Sequence, residues 1–426
     1  MEITIHRGTN EIGGSCVEMR SGKRRILLDA GLPLDGSATT LPLRVEGIDA
    51  LFVSHCHPDH YGLASQLPED LPVYLGELTW RFIRARHVFM NEDLPNFTTR
   101  FMHPWETIDI GEIKVTPYLM DHSSPEAFAF LVEADGKRLF YSGDFRGHGR
   151  KGKLLKNLLS NPPKKIDAML VEGTTLGRKD QHQLSEADVE QELLSIAQNE
   201  SGPVFIVCSG QNIDRIVSIF RAAKKAGRTL VIDIYTAWIL EEMRCVTQNT
   251  PAMDWGGIKV LAHGWPASRQ YATAKSQPDI FGGFLRRIYS LNADINLDTI
   301  RSNPGDYMIK ANLWPIKRML QETGTSKATI IYSLWPGYMS SEPGSRDMEI
   351  FEWINDAPSL TFKQVHASGH ADLESLQALV KTIAPAKVIP IHTEMKNAYD
   401  KHFQQVCLLD DGQSLTLKNM ENSKRK

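Results

Sequence analysis

Cysteine is scarce in this chain of 426 residues: five in all, at positions 16, 56, 208, 245 and 407, with no CxxC pair among them. An odd number at such spacing implies neither a disulfide framework nor a thiolate zinc site, and suits reduced thiols in a cytoplasmic protein. A surplus of charge is also missing. The formal net charge is −3, so no global field draws the chain to a polyanion. Any such contact has to come from local groups such as Arg81, Arg84 and Arg86, or Arg221, Lys224, Lys225 and Arg228. Either group reads equally well as the solvated face of a helix. The longest apolar run, VIDIYTAWIL from Val231 to Leu240, is too short to cross a bilayer and contains Asp233. The opening MEITIHRGTN has no basic segment followed by an apolar one, so neither secretion nor a membrane partner is expected. Low-complexity tracts and internal repeats are absent as well. What remains, 42% hydrophobic and 23% charged residues, is the composition of a folded globular enzyme, long enough for two domains.

The grammar of the chain changes near residue 185. Before it, short alternating segments bounded by turn residues, among them Ile3 to His6, Arg25 to Asp29, Ala50 to Ser54 and Phe128 to Glu133, predict stacked sheets with few helices between them. After it, Ser185 and Asp188 make a capping box for a helix. Strand Val204 to Cys208, helix Asn212 to Ala226 and strand Thr229 to Asp233 then form a βαβ unit. Further runs at 259–263, 306–310 and 328–333 extend it into a parallel sheet. Beyond residue 360 one amphipathic helix, 372–384, precedes the strand 387–391.

With only 14 histidines in the chain, three stand with an aspartate in six positions, in SHCHPDHYG at 54–62. Imidazoles and a carboxylate converging from one loop after an apolar run suggest a metal, and the nitrogen and oxygen mixture suits Zn²⁺, with Mn²⁺ or Fe as rivals. A polar loop capping the next helix is the plain alternative. Cys56 lies between candidate ligands, but alternation turns it away and packing is its expected role. More ligand-type residues follow other strand-like runs: Asp29 in LLDAG, His122 in MDHSS, Asp144 in YSGDFR, Glu172 in VEGTT, His370 in HASGHA and His392 in IPIHTE. Singly each is unremarkable. Together they fit strands presenting side chains to a common cleft.

On these residues the chain resembles the metallo-β-lactamase fold hydrolases, in particular their β-CASP nucleases, and ribonuclease J most of all through NEIGGSCVEM and HASGHA. The resemblance implies an α/β fold, an αββα sandwich with an inserted parallel-sheet β-CASP domain. Residues 1–175 and 361–416 would form the metallo-β-lactamase domain, 176–360 the insertion and 417–426 a tail. It implies two Zn²⁺ ions, with Mn²⁺ as a substitute, bridged by hydroxide. His55, His57 and His122 would hold one, Asp59, His60 and His392 the other, and Asp144 would bridge them. Asp59 also counts with the catalytic residues, Asp29 would orient the ligands, and His370 backed by Glu172 would serve the scissile phosphate or protonate the leaving oxygen. Ser368 and Gly369, with Ser209 and Gln211 at a helix start, are small turns suited to a phosphate.

The implied activity is hydrolysis of single-stranded RNA in the cytoplasm, with a 5′-phosphate-dependent exonuclease as the finer expectation. A DNA nuclease of the same family, or a hydrolase of a small ester or phosphodiester, remains open. Gly173 after Glu172 and Thr393 after His392 depart from the endonuclease branch, so endo- versus exonuclease action stays open too. A homo-oligomer is compatible with the chain but not derivable from it.

Overall fold

Along Ala127–Ala134, Phe128, Phe130 and Val132 join one apolar cluster while Ala129 and Leu131 join another. Period-two alternation of apolar residues on both faces makes this a strand buried on both sides, which places it at the centre of a layered fold. The computed structural model describes residues 1–178, 184–264, 267–325, 327–339 and 346–418. They divide into two units, residues 1–83, 94–183 and 369–426 in the first and 84–93 with 184–368 in the second. Most of the expected tail, 419–426, lies outside the described residues. Leu417 at its start is buried, and its amide donates to the Met1 carbonyl at 3.0 Å.

The first unit holds two sheets. One runs Ser414–Thr416, Glu2–Arg7, Cys16–Ser21, Arg24–Ala30, Ala50–Phe52, Pro72–Leu75 and Thr98–Phe101. The other runs Val388–Ile391, Ala168–Glu172, Lys137–Tyr141, Ala127–Ala134, Ile113–Met120 and Ile108–Ile110. Ile3, Val17, Ile26 and Phe52 from the first share a core with Phe128, Leu139, Leu170 and Ile389 from the second. The far face of the six-stranded sheet is covered by helices Lys153–Ser160 and Leu373–Ile383. The latter starts at Asp372, whose side chain accepts from the Ser375 amide at 2.8 Å, and buries Leu376, Leu379 and Ile383. Each such side chain contributes roughly 1.5–3 kcal/mol, so Leu379→Ala would remove one of the main contributions that dock the helix.

The second unit is built on one parallel sheet, in the order Asp294–Ile295, Ile258–Leu261, Thr229–Ile232, Tyr307–Lys310, Val204–Val207, Ala328–Tyr332 and Leu360–Gln364. Its strands VFIV, TLVI and ATIIY are near-continuous apolar runs, as burial on both faces requires. An α/β sandwich interrupted by a parallel-sheet unit is the architecture expected. The Ser185–Asp188 capping box is present, and Asn212 caps helix Ile213–Lys225.

Two local readings change. Helix Glu77–Met90 and helix Lys153–Ser160 add to the few helices expected before residue 185. Leu78, Phe82, Ala85 and Phe89 form a buried stripe on the first, but the arginines and aromatics between them blur the period. The apolar run at 231–240 is two elements: strand Thr229–Ile232 stops where Asp233 caps helix Ile234–Met243, accepting from the Thr236 amide at 2.6 Å.

Candidate metal centre

The ligand-type residues of the first unit gather where strands end. Asp29 closes Arg24–Ala30, His122 and Asp144 follow Ile113–Met120 and Lys137–Tyr141, Glu172 is the last residue of Ala168–Glu172, and His392 follows Val388–Ile391. SHCHPDHYG turns directly from Ala50–Phe52 into the single helical turn Pro58–Tyr61, with Pro58 at its first position. Asp29 and His392 adopt φ of 60° and 53°, a strained region for side chains other than glycine that the surrounding bonds must hold in place. The NEIGG and DAG glycines make room for this. A Cβ on Gly31 would meet the Asp59 carbonyl at 1.7 Å, and one on Gly13 would meet the Asp59 Cβ at 3.0 Å. The Ser15 amide donates to that Asp59 carbonyl at 3.2 Å.

Donor atoms converge in three groups, each with all atoms within 4.8 Å, the last two sharing Asp144 and His392: His55, His57 and His122; Asp59, His60, Asp144 and His392; and Asp144, Glu172, His370 and His392. His57 Nδ1 lies 3.0 Å from His55 Nε2 and 3.3 Å from His122 Nε2. His60 Nε2 is 3.1 Å from Asp144 Oδ2, and His392 Nε2 is 3.2 Å from Asp59 Oδ2. His370 Nδ1 is 3.6 Å from Asp144 Oδ2. The rear nitrogens are held from behind. Asp29 Oδ2 stands 2.8 Å from His60 Nδ1, and Thr174 Oγ1 stands 2.8 Å from His392 Nδ1.

Burial, reinforced by neighbouring imidazoles, holds His55 and His122 well below the usual histidine range, and burial lowers His57. Burial would raise Asp144, but His392, His60 and His370 outweigh it and hold the carboxyl well below its ordinary value. Asp59 is lowered likewise, burial being overcome by His60 and His392. In His60 and His370 the carboxylates win over burial and the shift is upward. Asp144 Oδ1 and His122 Nδ1 are buried without a hydrogen bond among the described residues. Three neutral imidazoles with nitrogens 3.0–3.3 Å apart have too few protons to satisfy one another. Beside two carboxylates, they form a donor set that fits a nitrogen-preferring divalent cation.

Other sequence-predicted residues fall elsewhere. Gly369 abuts the centre: a Cβ there would meet His122 Cε1 at 3.3 Å. Ser368, Ser209 and Gln211 belong to the second unit, where the Gln211 amide donates to Ser209 Oγ at 3.2 Å. The basic groups are largely paired, Arg81 with Glu77 at 2.8 Å and Lys225 with Glu190 at 2.7 Å, while Arg228 donates to the carbonyls of Gly202 and Tyr307. Buried Cys56 is pushed up to about 12 by desolvation, an inert thiol. Ser54, Tyr141 and Thr174 were not singled out by sequence, yet all three hold the centre together. Ser54 and Tyr141 donate to Asp29 at 2.7–2.9 Å.

The Beta-lactamase superfamily domain matches residues 24–200, and the Zn-dependent metallo-hydrolase RNA specificity domain matches 359–405. The chain therefore belongs to the metallo-β-lactamase superfamily and is a metal-dependent hydrolase that takes a divalent ion. Within that class it is a ribonuclease J-like β-CASP protein. It is 25% identical to an RNase J-like protein of Methanocaldococcus jannaschii, over 92% of each chain. It is 24% identical to ribonuclease J of Sinorhizobium meliloti, over 91% of this chain and 68% of that one. A solved protein of unknown function from Enterococcus faecalis shares the fold, with a TM-score of 0.73 at 19% identity over 98% of this chain and 99% of that one. No helix among the described residues is long and apolar enough to cross a membrane.

Proposed function

We propose that this protein is a cytoplasmic ribonuclease that hydrolyses phosphodiester bonds of single-stranded RNA with two Zn²⁺ ions. His55, His57 and His122 would hold one ion and Asp59, His60 and His392 the other, with Asp144 shared. The observation that carries this is the adjacency of those donor groups in a buried cluster. Bound there, the ions would supply a water of lowered pKa and positive charge for the phosphoryl oxygens.

The chain's own residues supply orientation and a proton. Asp29 and Thr174 fix the rear nitrogens of His60 and His392, so each ring faces the centre with one defined atom. Glu172 does the same for His370, which holds its proton at Nε2 and delivers it to the leaving 3′-oxygen. Asp59, between His60 and His392, receives the proton of the attacking water in this reading. RNA as the substrate is supported by the RNA specificity domain match, which spans His370 and His392, and by the names of the relatives. A preference for 5′-phosphorylated ends rests on Ser368 and Gly369, and on Ser209 and Gln211 ahead of helix Ile213–Lys225.

Zinc- or manganese-loaded protein incubated with end-labelled RNA and DNA oligonucleotides tests the reading. Cleavage of single-stranded RNA, faster with a 5′-phosphate than a 5′-hydroxyl, is expected. Cleavage of DNA alone, or of small esters alone, would replace it. Equal rates on the two RNA ends would remove only the end-binding pocket.

A further inference from the structure

Three of the eight tryptophans, Trp314, Trp335 and Trp353, belong to the second unit, outside the metal centre. Lys317 Nζ sits between two of them, 5.3 Å from the Trp314 ring centroid and 5.0 Å from that of Trp353. This joins helices Leu313–Thr323 and Met348–Asn355. Trp335 meets Tyr338 edge to face at 5.4 Å, and the Arg346 guanidinium covers the Tyr338 ring at 4.1 Å. Trp314 and Trp335 remain 55% and 43% exposed. Gly337 permits this arrangement, since a Cβ there would lie 2.3 Å from the Trp335 ring.

We propose that this surface is a stacking platform for the unpaired bases of single-stranded RNA, an inference that rests on the ribonuclease reading above. Exposed rings offer faces to bases, and a cation beside each ring pair suits the phosphates between them. A protein partner's apolar interface core would instead exclude lysine. Placement agrees: Trp314 and Trp335 follow the carboxyl ends of Tyr307–Lys310 and Ala328–Tyr332, the edge at which open parallel sheets take ligands. Glu349 and Glu352 on Met348–Asn355, and the Arg346 bond to Asp347 at 2.9 Å, keep the net charge of the surface small. The platform therefore contributes stacking rather than counterion release.

The full-length, metal-loaded enzyme and its Trp314→Ala and Trp335→Ala variants would be compared on a long single-stranded RNA, a duplex RNA and bis(p-nitrophenyl) phosphate. Each variant is expected to weaken binding of the long single strand by roughly five- to a hundredfold, seen in KM and in fluorescence titration. Its kcat and its rate on the small diester should stay unchanged, the fold-loss should not vary with salt, and Trp314→Phe should restore most of the binding. Unchanged RNA affinity in the double variant, an equal loss on duplex RNA, or a parallel loss on the small diester would overturn the platform. If the parent enzyme cleaves RNA while the rings prove indifferent, only the platform fails. If the parent binds single-stranded RNA through these rings without cleaving it, the platform stands and the nuclease reading falls. A parent that neither binds nor cleaves RNA sinks both.

Discussion

His370 Nδ1 lies 3.0 Å from Glu172 Oε2, while Oε1 of the same carboxylate accepts the Phe145 amide at 2.9 Å. The carboxylate is thus anchored to the backbone before it meets the ring, and it fixes which imidazole nitrogen faces outward. His370→Gln is expected to cut turnover by about 10²- to 10⁴-fold with metal content intact. Glu172→Gln should act in the same direction but more weakly. Metal analysis beside single-turnover cleavage decides, and a fully active His370→Gln enzyme would remove the proposed proton donor.

His392 has the opposite signature. His392→Ala should lower metal content and activity together, because a cation would lose an inner nitrogen. Thr174→Val, which frees the rear of that ring, should weaken metal affinity by about 10- to 100-fold. Chelator competition measures both; a His392→Ala protein that keeps the full metal content of its parent would reassign the residue.

Asp29 gathers four buried contacts, from the Ser54 amide, Ser54 Oγ, Tyr141 Oη and His60 Nδ1, at 2.7–2.9 Å. Tyr141→Phe removes one of them and should cost about 0.5–1.5 kcal/mol of stability. Asp29→Asn should cost metal affinity as well, by about 10- to 100-fold. Thermal melts with and without metal separate the two effects.

Glu18 offers a pH test away from the centre. Burial would raise its pKa, but hydrogen bonds from His6, Arg25 and Arg20 outweigh it and hold the carboxyl well below its usual range. A depressed folded value means stability present above the unfolded pKa of about 4.3 and lost as pH falls toward the folded one. Glu18→Gln should therefore melt earlier than its parent at neutral pH, with the gap closing in acid. A gap that holds constant down to about pH 3 would show that the loss is one of packing.

In the second unit, Arg215 and Glu186 are fully buried and bonded at 3.0 and 3.2 Å, and Arg215 also donates to the Ser333 and Ala367 carbonyls at 2.9 and 3.1 Å. Arg215→Met leaves the Glu186 charge buried and should destabilise by about 3–5 kcal/mol. A double change that removes both charges should recover part of that. Denaturant melts of the parent and the two variants test it.

The donors at 55–60 were legible because they are local: several ligands in six positions after an apolar strand need no tertiary information. His122, Asp144 and Glu172 could be read only as strand-end residues whose shared placement mattered. Thr174 could not, since it reaches His392 across 218 residues and a threonine in a turn carries no signal of its own. Asp233 hid inside an apolar run, and its capping role appears only once the helix after it exists. The basic groups were ambiguous for a physical reason, because the acidic partners that neutralise them sit on neighbouring turns or on another helix. Trp314 and Trp353 are separated in sequence, and only the meeting of their two helices brings both rings to Lys317.

Asp59 and His392 meet across 333 residues, and this fixes an order of events during synthesis. A ribosome releases the SHCHPDH segment, His122 and Asp144 while more than half of the described chain is still unmade. The three-histidine group can assemble then, but the group containing Asp59, His60 and Asp144 waits for its last imidazole. His370, too, arrives late. Chains that stop short of His370, including those translated from broken messages, lack both, so the proposed centre is complete only once His392 has been made.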